Sequence, residues 1–357
     1  MKVKSFDVRA VSLPGRAGTP AAEMSNFVTL KLRTEDDVVG IGYAGFVPRP
    51  MLKALRAAVR ALAELTVGDD PMLVEEVTNK LLAAGGMGAP AGLTTRATAA
   101  IDVALWDLRG RILGQPVYRL LGGARDRVPC YASGELWRGD NLDVLADMAG
   151  NLAGQGFRAV KLRMGAEQTI SAEVERLRVV REAVGPEVAV MVDINQGWDV
   201  NRSIAVGRRA ERYDLYWLED PINHEDFDGL ARIAAALDTP VTAGEYIYGM
   251  TSFRSMLEKR AVDVAMIDLL RAGGLSGWMK IAHLSEAFNL PVATHLAPEI
   301  LLHAACAAPN VGWVEHMPWA YGLFREVPEI ENGEMVVRKR PGLGLEFDED
   351  ALEKFAA

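Results

Sequence analysis

Eight short apolar runs, each followed by a helical stretch, fill the chain from residue 128 onward, and nearly all end on an ionisable residue. The runs cover residues 128–133, 159–162, 188–194, 216–218, 241–243, 264–269, 292–294 and 312–314. Their terminal residues are Lys161 with Arg163, then Asp193, Glu219, Glu245, Asp268, His295 and Glu315. From Arg163 onward, successive termini stand 30, 26, 26, 23, 27 and 20 positions apart. A period of about 25 accommodates one strand, one helix and two short loops, the signature of a βα repeat. Eight such strands imply a closed parallel barrel, whose catalytic groups gather at the C-terminal strand ends. Packing alone supplies no reason for ionisable side chains at that one place in successive repeats.

The first 125 residues read differently. Alternating patterns at 2–13, 27–33 and 38–43 predict a meander of strands. Helices are expected over 52–65, from Pro71, and over 94–113. The expected organisation is an α/β chain: an α+β capping domain at 1–125, a barrel at 126–320, and a segment at 321–357 returning to the capping domain. At 357 residues there is length enough for a large barrel and a smaller domain. A net charge of −9 disfavours nucleic acid, which is itself polyanionic. The two cysteines, Cys130 and Cys306, lack zinc-binding spacing and suit a reducing compartment. Charges in Met1-Lys2-Val3-Lys4 stand where a leader peptide needs an apolar run, and no stretch reaches the roughly 20 apolar residues of a membrane span. The expectation is a cytoplasmic protein with neither nucleic acid nor membrane as partner.

Asp193, Glu219 and Glu245 end three successive strands. Carboxylates converging on one rim repel one another unless a cation sits between them, and hard oxygen donors favour Mg²⁺ over zinc. The competing explanation for each is a helix cap or a salt bridge. Asp268 and His295 end neighbouring strands, where a carboxylate would orient the imidazole and raise its pKa for acid or base work; a structural His–Asp pair is the alternative. Glu315, if protonated, could donate to a substrate oxygen as negative charge develops, or it is a buried structural carboxylate. Lys161 and Arg163 alternate along one strand and so share its inward face. Of the remaining histidines, His224 and His316 are placed to line the site, while His283 and His303 read as ordinary helix residues.

These residues together resemble the enolase superfamily, and within it the mandelate racemase subgroup. The resemblance is carried by Lys161-x-Arg163, Asp193 with Asn195, Glu219-Asp220-Pro221, Glu245, Asp268, His295 and Glu315. It extends to residues 99–107, to Gly114-Gln115-Pro116 and to Leu120-Leu121-Gly122-Gly123, nearly the whole chain. It implies a (β/α)7β modified TIM barrel whose capping loops, here 14–25 and around 46–51, select the substrate. It also implies one Mg²⁺ per subunit, held by Asp193, Glu219 and Glu245, a small-molecule carboxylate as substrate, and self-association into a homo-oligomer. The implied chemistry is removal of the proton α to a carboxylate, giving an enediolate.

Racemase-like members carry Lys-x-Lys where this chain has Lys161-Leu162-Arg163. A lysine made neutral by burial can serve as a base, whereas arginine does not deprotonate. Racemisation needs a base on each face of the α-carbon; dehydration needs one base and one acid. Arg163 therefore favours an acid-sugar dehydratase yielding a 2-keto-3-deoxy acid, with His295 as base and Lys161 neutralising the substrate carboxylate. Asn195, Ser133 and Trp137 are the expected substrate contacts. The group protonating the departing hydroxide is left open between His295, Tyr131, Ser133 and a capping-loop residue. Racemisation or epimerisation of a 2-hydroxy acid is the second reading, and Trp137 and Trp319 would then line an apolar pocket. A barrel that binds ligand without catalysis is the third.

Overall fold

The computed structural model describes residues 1–357, apart from the side chain of Met87. Strands β1 (Val3–Ser12), β2 (Asn26–Thr34) and β3 (Val39–Gly45) form an antiparallel meander. Its inner face receives the helix Gly92–Ile112, which is buried along most of its length. Gly40 and Gly42 allow that approach: a Cβ at Gly42 would lie 2.1 Å from the Ala100 carbonyl oxygen. The helix also ties the two parts of the chain together with carboxylates. Asp107 accepts from the backbone of Ile41 at 2.9 Å and of Leu343 at 2.7 Å. Asp102 accepts from Ser276 N at 3.1 Å, serving the start of a barrel helix, Leu275–Ala287.

Eight parallel strands make the barrel: β4 (Arg127–Ala132), β5 (Ala159–Arg163), β6 (Ala189–Asp193), β7 (Leu215–Glu219), β8 (Val241–Ala243), β9 (Val264–Asp268), β10 (Val292–His295) and β11 (Val311–His316). Neighbours pair in chain order, and β11 closes onto β4, with Glu315 opposite Tyr131. Each observed strand begins or ends within one or two residues of its expected apolar run, and most extend to include the ionisable residue itself. Those side chains sit on ladder-held backbone rather than on free loops.

The end of the chain does more than the expected return to the first domain. Residues Glu329–Glu331 (β12) and Glu334–Val336 (β13) form a hairpin that pairs antiparallel with the start of β4. Beyond it, the Ala357 N–H donates to Ala10 O at 3.0 Å, completing the contact with β1. Among the described residues no helix is long and apolar enough to cross a membrane.

One contact between the two parts carries a titration. Tyr43, on β3, donates to Glu299 Oε1 at 2.6 Å, while the other Glu299 oxygen is buried without a partner. Burial pushes the Glu299 carboxyl up to about 7, against the lowering effect of the Tyr43 bond. The folded state thus holds a proton that the unfolded chain releases near the ordinary value of 4.5, and Glu299 makes folding less favourable as pH rises between about 4.5 and 7. Glu299→Gln should melt above the wild type by a margin that widens across that window and then levels. Calorimetry at several pH values measures it, with an upper bound of roughly 3 kcal/mol.

Candidate active site

Strand register sets the first half of the site. Arg163 lies opposite Asp193, and Asp193 opposite Glu219, so β5, β6 and β7 deliver one cation and two carboxylates side by side. His295 lies opposite Asp268 across β10 and β9. The chain then turns sharply away from each strand end. Asn195 and Gln196 follow β6 with φ of 47° and 65°, Asp220 follows β7 at 39°, and Leu296 and Ala297 follow β10 at 53° and 44°. Left-handed conformations at Leu and Ala cost on the order of 1–2 kcal/mol each. The turn at Leu296 is held by its N–H donating to Glu315 Oε2 at 2.7 Å. Backbone strain of this kind, over-determined by its surroundings, gathers at functional sites.

His295 Nδ1 lies 2.8 Å from Asp268 Oδ2, which leaves Nε2 directed at Glu245, 3.1 Å away. Burial alone would lower the imidazole pKa, but Glu245 and Asp268 together outweigh it and hold His295 above its usual 6.5. Asp268 also caps the short helix that begins at Leu269, accepting from Arg271 N at 2.7 Å. The helix-cap role and the dyad role thus coexist on one carboxylate, each using a different oxygen. Burial would raise Asp268, yet Arg271 and His295 keep it well below the usual carboxylate range.

Lys161 is fully buried, 2.8 Å from both Glu219 and Glu315 and 3.8 Å from Asp193. Opposed by burial, the two nearest carboxylates still hold it above the usual lysine value. Carboxylate oxygens of Glu219, Asp220 and Glu245 come within 4.8 Å of one another. Burial first, and neighbouring carboxylates second, push Glu219 and Asp220 well above their ordinary pKa. An all-oxygen set destabilised in this way suits a hard divalent cation such as Mg²⁺. Asp193 stands slightly apart from that trio. Its two oxygens accept from Asn195 N at 2.8 Å and Asn195 Nδ2 at 2.9 Å.

Above these groups opens a cavity of about 440 Å³. Asp193, Asn195, Glu245, Asp268, His295 and Arg163 reach its wall, as does Trp137. The opposite wall is aromatic and comes partly from the cap. Trp319 lies 6.2 Å from Trp137 in a stacked arrangement and 6.3 Å from Phe46. Arg163 lies over Trp137, 4.4 Å from the ring centre, and donates to Ser133 O at 2.7 Å and Ser133 Oγ at 3.1 Å.

Several expected roles change with this geometry. Ser133 does not reach the cavity: it is buried, and its hydroxyl is shared between Glu315 at 2.6 Å and Arg163. Glu315 makes acceptor contacts in this structure. It accepts from Ser133 and Leu296 and contacts Lys161, and despite its burial these neighbours hold it well below the usual carboxylate range. Lys161 lies one pleat beneath Arg163, buried among carboxylates and outside the cavity wall. His316 packs against Phe157 and Tyr321, and His224 bonds Gln196 at 2.7 Å beside the cavity rather than in it. Tyr131, a candidate acid, is enclosed at the barrel centre against Trp217. Sequence reasoning passed over Arg138, Tyr246 and Arg271, and gave Asp220 no role beyond the Glu219-Asp220-Pro221 motif. Tyr246 and Asp220 each directly follow a strand-end carboxylate, a signal available from spacing. Arg138, which bonds the Asn195 amide from the loop after β4, had no such signal.

Comparison with known proteins agrees with this architecture. Residues 143–351 match the family model Enolase C-terminal domain-like, and residues 1–122 match Mandelate racemase / muconate lactonizing enzyme, N-terminal domain. The chain is 33% identical over 332 residues to L-talarate/galactarate dehydratase of Salmonella typhimurium, covering 93% of this chain and 83% of that protein. It is 32% identical to D-galactarolactone cycloisomerase of Agrobacterium fabrum, covering 99% of each. The solved structure of L-talarate dehydratase from Polaromonas sp. JS666, complexed with Mg and L-glucarate, superposes with a TM-score of 0.92 at 32% identity, over 100% of this chain and 97% of that one. Matched at both ends and across the barrel, the chain belongs to the mandelate racemase and muconate lactonizing enzyme family of the enolase superfamily.

Proposed function

We propose that the protein is a magnesium-dependent acid-sugar dehydratase that removes water from a 2,3-dihydroxy carboxylate to give a 2-keto-3-deoxy acid. The observation that carries this reading is the asymmetry of the site. One side offers His295, an imidazole oriented by Asp268, and the other offers Arg163, which does not deprotonate. The dehydratase relatives support it. Asp193, Glu219 and Glu245 would hold Mg²⁺, which supplies positive charge to the substrate carboxylate as its α-carbon loses a proton.

His295 Nε2 takes the proton from C2, and the C2–H electron pair passes into the enediolate. That pair then forms C2=C3 as the C3–O bond breaks, and the departing hydroxide takes a proton. Protonated His295 returns it when elimination is syn, so one residue serves as base and then acid. The resulting enol becomes the 2-keto acid by tautomerisation. Arg163 contributes fixed positive charge and holds the Trp137 loop. Asn195 faces the cavity beside Asp193 and can bond a substrate hydroxyl. We assign the enzyme to the cytoplasm, where two buried free thiols suit the reducing conditions, and infer self-association as the family resemblance implies.

The aromatic wall of Phe46, Trp137 and Trp319 favours a second reading, racemisation or epimerisation of a 2-hydroxy acid with an apolar substituent. Proton NMR in D₂O with Mg²⁺ and a panel of sugar acids and 2-hydroxy acids separates the two. Appearance of a 2-keto-3-deoxy product is expected. Loss of the α-proton signal alone, with the carbon skeleton unchanged, would establish the second reading and overturn the first.

A further inference from the structure

Among the described residues, Asp220 is the one carboxylate whose two oxygens are both buried and without a hydrogen-bond partner. It has no exposed surface. An ionised carboxylate held this way costs several kcal/mol unless a cation or donor meets it. The cations nearby are committed elsewhere. Lys161 is taken by Glu219 and Glu315, and Arg271 bonds Glu245 O at 2.7 Å and stands 3.5 Å from Asp268.

The main chain fixes where this side chain goes. Asp220 N donates to Thr242 O at 2.9 Å, and Asp220 O accepts from Gln196 N at 2.7 Å. With φ at 39°, the residue turns away from the strand so that its carboxylate joins Glu219 and Glu245, with oxygens of all three within 4.8 Å of one another. The backbone bonds hold the turn by themselves, so the buried carboxylate is not needed to form it.

We propose that Asp220 is a fourth carboxylate of the magnesium site, supplying oxygen to the bound ion together with Glu219 and Glu245. This rests on the magnesium-dependent reading given above. Asp193, Glu219 and Glu245 would hold the ion, and Asp220 would add a further carboxylate oxygen to that set.

Binding itself, rather than turnover, is the test. Metal-stripped wild type and Asp220→Asn are titrated with Mn²⁺, free ion being followed by electron paramagnetic resonance, and melting is recorded with and without Mg²⁺. Asparagine keeps the shape and tolerates the left-handed backbone. The variant is expected to bind Mn²⁺ at least tenfold more weakly and to gain less in melting temperature from Mg²⁺. Its metal-free form should melt no lower than the wild type. Affinity within twofold of wild type overturns the proposal, and so does unchanged affinity in a variant whose metal-free form melts lower, which marks a purely structural role. Should Asp220→Asn fail to fold, Asp220→Gly suits the same φ, and the same tenfold criterion applies. A wild type that binds neither ion overturns the magnesium reading as a whole. Binding by the wild type with equal binding by the variants overturns only the role of Asp220.

Discussion

His295→Asn is expected to lose both product formation and exchange of the substrate α-proton with solvent deuterium, each by about 10³-fold or more. Asparagine fills similar space and can still bond Asp268, but it cannot accept a proton. The exchange measurement is the informative one. With a base on each side of the α-carbon, removing one would leave exchange from the opposite enantiomer. Here the other side presents Arg163, whose guanidinium is tied to Ser133 and stacked on Trp137, so exchange should vanish for every substrate and every stereochemistry. Residual exchange with one enantiomer would reveal a second base and sink the one-base mechanism. The pH profile follows from the same residue. Because Glu245 and Asp268 hold His295 above 6.5 against the effect of burial, the base form is depleted as pH falls through that raised value. In the metal-free protein the His295 imidazole should therefore titrate above 6.5, which NMR of its ring protons reads, and Mg²⁺ that engages Glu245 should move that titration down.

Much of this was legible in the chain because a barrel repeats. A parallel strand buried on both faces reads as an apolar run, and a polar residue at its end is conspicuous against that run. Asp193, Glu219, Glu245, Asp268 and His295 all carry that contrast, and all reach one place. What spacing cannot supply is depth and direction. Lys161 and Arg163 share a strand face, yet two residues of rise, about 6.6 Å, put one beneath the carboxylates and the other at the cavity. Ser133 and Glu315 lie at strand ends like the others, but they bond each other across the β4–β11 closure, a contact that only the closed barrel creates. The aromatic wall was legible in part. Trp137 and Trp319 stood out as large side chains near the rim, but Phe46 joins them from the cap, and nothing local in the sequence foretells that meeting.

Lys161→Met should have the largest effect on the resting protein. Its ammonium is the one fully buried cation among Glu219, Glu315 and Asp193, at 2.8, 2.8 and 3.8 Å. Methionine fills the volume of the stem and removes the charge, which leaves those carboxylates facing one another in a low-dielectric interior. Breaking a buried ion pair from one side costs about 3–5 kcal/mol. Arg163 softens the loss only partly, since it stands 3.6 Å from Asp193 and 3.8 Å from Glu315 and spends its best donors on Ser133. In a chain of this size that corresponds to a fall in melting temperature of roughly 5–10 °C without metal. Magnesium should then restore more stability to the variant than to the wild type, because the ion replaces the missing charge and binds a more negative site. Thermal melts across a magnesium titration read both effects. A variant that melts like wild type, or whose response to magnesium is no greater, would show that Lys161 does not balance these acids. If the expected pattern appears, the lysine acts mainly before any ligand arrives: it balances the charge among Glu219, Glu315 and Asp193 and holds them in register, so that the metal meets a set already arranged for it.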